Sequence, residues 1–191
     1  NVSFGQKRLP TGPGDQLVSM LPMAHMYGMM FELIYPLCNG AAVFYLGKTP
    51  TPALRLGAMA EIKPYLVITV PLVMEKIFKS KVAPVINKPI MKVITSIPGL
   101  NQLIFKKIRT TLLNAFGGNV REIVMGGAAL NPDVENWFRK FKLPFTIGYG
   151  MTEAAPLLAY EDWYHFAPKS CGKCVDSVEV RIDSDDPYHK V

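Results

Sequence analysis

Apolar residues in this chain form short runs that alternate with helically spaced series. The runs predict strands over residues 16–21, 41–46, 65–70, 120–125 and 143–147. The run at 41–46 is unbroken, and it and the runs at 65–70 and 143–147 predict strands that are buried on both faces. Helical spacing, with proline in several first turns, predicts helices over 24–37, 51–62, 71–79, 101–116 and 131–140. This alternation predicts an α/β fold with a mainly parallel sheet flanked by helices on both faces.

Three other segments differ in what they predict. Residues 1–15 are rich in proline, glycine and polar groups and predict a loop. Residues 83–100 contain three prolines and one glycine and fit no single element. Residues 101–116 predict a basic amphipathic helix that ends at a Gly-Gly pair. Its apolar side is predicted to consist of Leu103, Ile104, Ile108, Leu112 and Leu113.

The composition is that of a globular protein. The chain has 191 residues, of which 49% are hydrophobic and 19% are charged, enough for roughly one domain with a sizeable core. Every apolar run is much shorter than the length of about 18 residues that a membrane-spanning helix needs, and no secretory signal is recognisable. The abrupt first and last residues lead us to expect an internal fragment of a longer protein. We also expect that protein to be cytoplasmic.

The net charge of +6 is concentrated in one segment. Between Lys76 and Arg121 the sequence has nine lysines and arginines and no aspartate or glutamate. Such a segment, in which basic and aliphatic residues are mixed, suits contact with the anionic inner face of a membrane. It equally suits the binding of an anionic ligand such as coenzyme A. A solvated basic face explains the same pattern. Nucleic acid is not an expected partner, since no nucleic-acid motif accompanies the charge.

The three cysteines do not form a disulfide framework. Cys171 and Cys174 have the spacing of a redox or zinc motif. However, the alternating apolar residues that follow, Val175, Val178, Val180 and Ile182, predict a strand rather than the helix of a redox site, and no second ligand pair is present. We therefore expect a reduced pair with incidental spacing.

Residues 147–156 carry the most chemical information. Gly148 and Gly150 allow backbone to approach a ligand closely, and Tyr149 between them offers a flat face for stacking on a base. Thr152 can donate to a phosphate oxygen, and Glu153 can hold a hard cation such as Mg²⁺. Together they predict a nucleotide site at the carboxyl end of a strand. A glycine-rich turn after a buried strand is the alternative explanation.

Motifs in four further segments match, in order, those of a known enzyme superfamily. With residues 147–156, they resemble the adenylate-forming superfamily, which includes long-chain fatty acyl-CoA synthetases, over nearly the whole chain. One departure is Ala129, where the family's glycine-rich loop has proline. The four segments are Leu-Pro-Met-Ala-His-Met-Tyr-Gly at 21–28, Val-Pro-Leu-Val-Met-Glu-Lys-Ile at 70–77, Gly-Gly-Ala-Ala-Leu at 126–130, and Ser-Cys-Gly-Lys-Cys-Val at 170–175.

The resemblance implies ATP-dependent activation of a fatty acid to an acyl-adenylate and then to acyl-CoA, with ATP, Mg²⁺ and coenzyme A. It implies that His25, Thr152 and Glu153 act in catalysis and that Glu153 holds the metal. It also implies that the nucleotide and the acyl group contact the following residues: Gly126, Gly127, Ala128, Gly148, Tyr149, Gly150, Met151 and Thr152.

Other family motifs have no counterpart in these residues. The phosphate loop would precede residue 1, and the ribose-binding aspartate and the C-terminal domain with its catalytic lysine would follow residue 191. We therefore expect residues 1–191 to be the central part of an AMP-binding N-terminal domain, inactive by itself. Two alternatives stay open: an adenylation domain that loads a carrier protein, and a non-catalytic basic module that docks on membranes.

Overall fold

The computed structural model describes residues 1–9, 11–47, 51–97, 99–181 and 183. The α-helices are α1 (Val2–Arg8), α2 (Met26–Met29), α3 (Tyr35–Cys38), α4 (Pro52–Ile62), α5 (Pro71–Ile77), α6 (Ala83–Ile86), α7 (Pro89–Ser96), α8 (Leu100–Ala115) and α9 (Pro132–Lys140). The strands are β1 (Gln16–Ser19), β2 (Ala42–Tyr45), β3 (Leu66–Thr69), β4 (Glu122–Met125), β5 (Phe145–Ile147), β6 (Tyr149–Gly150), β7 (Leu157–Tyr160) and β8 (Lys173–Cys174). Single π-helical turns join α2 to α3 (Met30–Ile34) and α5 to α6 (Phe78–Val82), and Thr152–Ala154 forms a 3₁₀ turn.

Five parallel strands form the centre of the fold. Strands β3, β4 and β5 pair in that order, with Ile68 opposite Val124 and Val124 opposite Thr146. Strands β1 and β2 pair separately in parallel, and the Tyr65 amide donates to the Gln16 carbonyl at 2.9 Å, which joins β1 to the start of β3. Each parallel connection passes through at least one helix, as parallel strands require.

Alternate residues of the central strands enter two different cores. Val67 and Ile123 pack in a core with Phe138 of α9, whereas Ile68 and Val124 pack in a second core with Tyr35 of α3. Because successive strand residues point to opposite faces, both faces of the sheet are covered by helices. The predicted α/β class, with a mainly parallel sheet and helices on both faces, is therefore confirmed.

A small antiparallel sheet follows the parallel one. Strand β7 pairs with β6 on one side and β8 on the other. The predicted strand through Val175, Val178 and Val180 is wrong, since pairing ends at Cys174 and the Val178 amide turns back to donate to the Val175 carbonyl at 3.0 Å. Ile182, the last residue of that prediction, lies outside the described residues.

The predicted loop over residues 1–15 is also wrong, because it contains helix α1. This helix is too short to be stable by itself and depends on tertiary packing. Phe4 is buried edge-on against the Tyr160 ring at 6.1 Å, while Lys7 and Arg8 lie in the last turn, where they complement the helix dipole. Tyr160 lies far away in sequence, so the local pattern carries no sign of this contact.

Strand β2 is present where an apolar run predicts a strand, but the prediction that it is buried is wrong. The side chains of Phe44 and Tyr45 are 41% and 52% exposed. The described part of β2 pairs only with β1, so one of its edges has no strand beside it. An unbroken apolar run does not say which side of a strand another element covers.

The structure resolves the segment that no sequence pattern assigns. Helices α6 and α7 lie within residues 83–100 and begin at or near Pro84 and Pro89. Helix α8 confirms the amphipathic prediction except at Leu103, whose side chain is 67% exposed, while Leu112 is buried. Among the described residues, no helix is both long and apolar enough to cross a membrane.

Candidate active site

The carboxyl ends of three parallel strands meet at one edge of the sheet. The Gly126 amide, directly after β4, donates to the Thr69 carbonyl of β3 at 3.2 Å. The Gly148 amide, directly after β5, donates to the Met125 carbonyl of β4 at 2.8 Å. These bonds set the two glycine-containing loops side by side. Open α/β sheets bind ligands in crevices at this edge.

His25 stands where the first motif enters helix α2. It is the N-cap of that helix, and its Nδ1 accepts the Tyr27 backbone N–H at 3.1 Å. Because Nδ1 acts as an acceptor, the neutral ring carries its proton on Nε2. The side chain is exposed and lines a pocket, so Nε2 can donate to an oxygen atom there.

Tyr27 fastens this helix to the strand edge. Its hydroxyl lies 3.1 Å from the Val124 carbonyl and 3.3 Å from the Thr69 carbonyl, so one proton is shared between β4 and β3. Burial raises the pKa of Tyr27 far above its ordinary value, and the nearby Glu32 charge adds to the effect. The hydroxyl therefore stays protonated, and the ring packs against Gly126.

The Gly-Gly-Ala-Ala-Leu loop leaves β4 and is anchored at its far end. Gly127 has φ of +85°, a left-handed conformation that strains any residue with a Cβ. After the loop, the Asn131 amide donates to Glu75 Oε1 at 2.9 Å, and the Asn131 side chain caps α9. Glu75 belongs to the motif at 70–77, which explains how that distant segment positions the loop.

The Tyr149–Glu153 segment is held in a narrow turn. The Met151 amide donates to the Pro156 carbonyl at 2.8 Å, and a Cβ on Gly150 would collide with the same carbonyl. Asn1 braces the turn by donating from Nδ2 to the Ala154 carbonyl at 2.9 Å and by accepting the Leu157 amide at 3.0 Å. The backbone is thereby fixed while the Tyr149 ring stays 52% exposed and available for stacking.

Thr152 and Glu153 present neighbouring oxygen ligands. Both side chains are exposed, and neither has a hydrogen bond or ion pair with another described residue. Mg²⁺ in nucleotide sites takes one or two carboxylates together with substrate phosphates, and this donor pair fits that requirement. Within the described residues, a cluster of three potential metal ligands, Glu161, Asp162 and His165, lies elsewhere.

Two adjoining pockets occupy the strand edge. The first, of about 200 Å³, is mainly apolar and is lined by Leu9, His25, Met26, Tyr27, Phe31, Val124, Met125, Gly126, Gly127, Gly148, Tyr149, Gly150, Met151, Thr152, Pro156, Leu157 and Tyr160. The second, of about 600 Å³, is lined by Gly127, Ala128, Ala129, Leu130, Pro132, Glu135, Ile147, Gly148, Tyr149, Gly150, Lys169, Ser170 and Cys171. They share a wall of four residues, Gly127, Gly148, Tyr149 and Gly150.

Nearly all of the site residues predicted from the sequence line one or both of these pockets. His25, Gly126, Met151 and Thr152 line the first pocket, Ala128 lines the second, and the shared wall supplies the other glycines and Tyr149. Glu153 lines neither pocket and follows Thr152 on the exposed turn. The motifs at 21–28, 126–130 and 147–156 are therefore adjacent in space, although they are separated in sequence.

Sequence reasoning missed several side chains that line the first pocket, among them one pair on a helical segment and one pair on a strand. Tyr27 and Phe31 are four residues apart on one helical face, a spacing that predicts a shared environment. Leu157 and Tyr160 belong to β7, and the apolar run there could have been assigned as a strand. In the second pocket, one of the missed residues is Lys169, whose exposed side chain brings a positive charge to the lining.

Cys171 also lines the second pocket, whereas Cys174 is an exposed residue of β8. Both thiols are free. Since Cys171 precedes an extended strand, it lacks the helix N-terminus that activates a redox thiol.

A buried carboxylate supports the first motif from below. Glu32 is fully buried, and Oε2 accepts the Ser19 hydroxyl and the Leu21 amide, both at 2.9 Å, while Oε1 accepts the Met20 amide at 3.0 Å. Burial raises the pKa of Glu32, and these three donors oppose the rise. Glu32 thus fixes the backbone that leads from β1 into the His25 turn.

A second buried carboxyl, Glu122, lies at the start of β4. Burial raises its pKa to about 7, although the Trp163 amide donates to Oε1 at 3.0 Å and favours the charged form. The folded protein therefore binds the Glu122 proton more tightly than the unfolded chain does, since the ordinary pKa of this carboxyl is 4.5. It follows that the stability contributed by Glu122 is fully present below pH 4.5 and is lost as the pH rises to about 7.

We expect Glu122→Gln, which mimics the protonated carboxyl, to remove this pH dependence. Between the two pKa values, the unfolding free energy of the wild type should fall relative to the variant by up to about 1.4 kcal/mol per pH unit. Urea unfolding of both proteins across that interval measures the difference. The matched control is Glu61→Gln, which changes an exposed carboxylate on α4. Parallel pH profiles for wild type and Glu122→Gln would contradict the assignment.

The family model for the AMP-binding enzyme family matches residues 1–190. The chain belongs to this family. Among curated proteins it is similar to Long-chain-fatty-acid--CoA ligase 4 of Saccharomyces cerevisiae, with 28% identity over 196 residues, which is 90% of this chain and 26% of that protein. It is also similar to Long-chain-fatty-acid--CoA ligase 3 of the same yeast, with 30% identity over 188 residues and the same coverage. The chain thus spans about a quarter of the length of these relatives.

Solved structures of adenylate-forming enzymes share the fold. The o-succinylbenzoate CoA synthetase of Bacillus subtilis, in complex with its acyl-adenylate intermediate, superimposes with a TM-score of 0.68 at 17% identity, over 96% of this chain and 31% of that chain. The same enzyme in complex with ATP and a magnesium ion gives a TM-score of 0.68 over 96% of this chain and 32% of that chain. The fold predicted from the family resemblance is therefore confirmed.

Proposed function

We propose that this chain forms the carboxylate-activating core of an ATP-dependent acyl-CoA synthetase for fatty acids. The observation that carries the proposal is the convergence of the motifs at 21–28, 126–130, 147–156 and 170–175 on two adjoining pockets. A reaction that joins two substrates needs two pockets that meet, and here they meet at Gly127 and Gly148–Gly150. Membership of the AMP-binding enzyme family supports the nucleotide part of the proposal.

The linings favour a particular division of the substrates. The first pocket has apolar walls from Phe31, Val124 and Leu157, which suit the acyl group. The second pocket is wider, has backbone from Gly127 to Ala129 on one side, and includes the Lys169 cation, which suits a nucleotide. Tyr149 borders both pockets and would stack on the adenine.

The proposed chemistry places a fatty acid carboxylate against the α-phosphate of ATP. A carboxylate is a modest nucleophile, so the protein contributes mainly positioning and charge neutralisation. His25 Nε2 donates a hydrogen bond that orients the carboxylate or the phosphate, and the Thr152 hydroxyl donates to a phosphate oxygen. The Glu153 carboxylate would hold Mg²⁺, which neutralises charge on the phosphates.

Coenzyme A is the proposed acyl acceptor. The identities to proteins named long-chain-fatty-acid--CoA ligases support it over a carrier protein, and they support a fatty acid as the substrate. The expectations that residues 1–191 are the central part of an N-terminal domain, lack turnover by themselves and are cytoplasmic stay predictions.

Nucleotide binding tests the proposal directly. We expect Tyr149→Ala to weaken AMP binding by about tenfold, because base–aromatic stacking contributes about 1–3 kcal/mol. Isothermal titration calorimetry measures the dissociation constant. Tyr164→Ala is the matched control, since Tyr164 is 61% exposed and lies outside both pockets. Equal affinity in the wild type and Tyr149→Ala, or no measurable AMP binding by the wild type, would refute the proposed nucleotide site.

A further inference from the structure

Helices α6, α7 and α8 present an exposed surface that the candidate active site does not use. We define the basic aliphatic face as the exposed side chains of these helices and of the Phe78–Val82 turn before them. Five of its aliphatic residues are largely exposed: Val85 (39%), Ile90 (66%), Ile97 (45%), Leu100 (42%) and Leu103 (67%). Several exposed aliphatic side chains on consecutive helices mark an interaction site more often than single ones do.

The same turn and helices carry exposed lysines. Those of the basic aliphatic face are Lys79, Lys81, Lys88, Lys106 and Lys107. In the described part of the chain, none of them forms an ion pair with an acidic side chain. Their positive charge is therefore not neutralised within the described structure.

The structure places two cations of this segment elsewhere. The guanidinium carbon of Arg109 lies 6.0 Å from the centre of the Trp163 ring, and that of Arg121 lies 5.9 Å from the centre of the Tyr164 ring. Both arginines lie beside aromatic rings, Arg109 half-buried and Arg121 exposed, whereas the lysines extend into solvent. The basic residues thus divide into two ring-associated arginines and an exposed lysine set, a distinction that sequence order does not reveal.

One side of α8 carries two exposed leucines and a lysine. Leu100, Leu103 and Lys107 follow the spacing of a single helical face. Lys107 and Lys81 also border a groove of about 340 Å³ between the helices, whose walls include Val85, Met91 and Ile104. Lys107 and Lys81 therefore both lie beside apolar side chains.

We propose that the basic aliphatic face docks on an anionic lipid bilayer. The aliphatic tips would enter the boundary between headgroups and acyl chains, while the lysines contact anionic headgroups. Anionic headgroups move within a fluid bilayer and can therefore reach each unpaired lysine. The carboxylates of an acidic protein have fixed positions and would have to match those of the lysines. Binding at this face is independent of the proposed ligase activity and is measured without it.

Vesicle co-sedimentation tests the electrostatic part. The chain is expected to bind vesicles containing phosphatidylserine, to bind phosphatidylcholine vesicles much more weakly, and to be released by high salt. Replacing Lys81, Lys88 and Lys107 with Gln should lower the partition coefficient about fivefold per lysine, on the order of 10² in total. The control with the same change in charge replaces three exposed lysines outside the face, Lys7, Lys63 and Lys142. It should stay within about threefold of wild type.

A second variant tests the aliphatic part. Ile90→Ser with Leu103→Ser keeps every charge and is expected to reduce phosphatidylserine binding by about tenfold, because less apolar surface enters the bilayer. Both positions are exposed, so the native fold should persist. The proposal is overturned if both lipids bind the chain equally, if the two lysine triples lose the same affinity, or if no vesicle binds it.

Discussion

Replacing Glu153 with Gln is expected to slow acyl-adenylate formation by a factor on the order of 10²–10³ in an active ligase that contains this chain. The carboxylate lies on an exposed turn next to Thr152, without a partner among the described residues, and it fits a metal ligand at the phosphates. An amide carries no charge, so the phosphate charge would be left uncompensated as pyrophosphate leaves. Pyrophosphate release with palmitate, ATP and Mg²⁺ measures the rate.

A binding measurement separates metal coordination from other roles of Glu153. If Glu153 holds Mg²⁺, the variant should lose affinity for ATP in the presence of Mg²⁺ but retain the wild-type affinity for AMP in its absence. Glu61→Gln, an exposed change on α4, should alter neither value. A near-normal adenylation rate in Glu153→Gln would show that another group holds the metal.

The second large effect is expected in stability, for Glu32→Gln. The substitution should lower the unfolding free energy by about 2–4 kcal/mol, because the amide turns two N–H donors toward a site filled by other donors. The Met20 and Leu21 amides and the Ser19 hydroxyl would then compete for a single acceptor oxygen. Urea unfolding at neutral pH, analysed by linear extrapolation, measures the loss.

The same Glu61→Gln protein serves as the control for Glu32, since it makes the same chemical change at an exposed position. It should change the unfolding free energy by less than about 0.5 kcal/mol. If Glu32→Gln and Glu61→Gln unfold at the same urea concentration, the buried carboxylate contributes nothing specific to the turn before His25.

Several parts of the site could be predicted because they depend on local chemistry. Gly148, Tyr149 and Gly150 combine close backbone approach with a stacking surface, and all three border both pockets. His25 follows a strand and caps a helix, an arrangement that short-range sequence order determines. The Asn131 cap of α9 and the Gly-Gly end of α8 are confirmed for the same reason.

The supporting contacts of the site could not be predicted in this way. Asn1 braces the turn before Leu157, Glu75 anchors Asn131, and Tyr27 links two strands through their carbonyls. Each contact joins residues that are distant in sequence, so no periodic pattern records it. Motif resemblance marks the segments at 70–77 and 21–28 but does not indicate which side chain in them does the positioning.

By itself, the sequence determined the alternation of strands and helices, the α/β class and most of the nominated residues that line the two pockets. These features follow from side-chain period, capping and turn chemistry, which act over a few residues. Only the tertiary structure decided that β2 is exposed, that residues 2–8 form a helix and that the exposed lysines of the basic aliphatic face stay in solvent while Arg109 lies beside Trp163. Burial and pairing depend on which distant elements come together, and local propensity yields to that packing whenever the two differ.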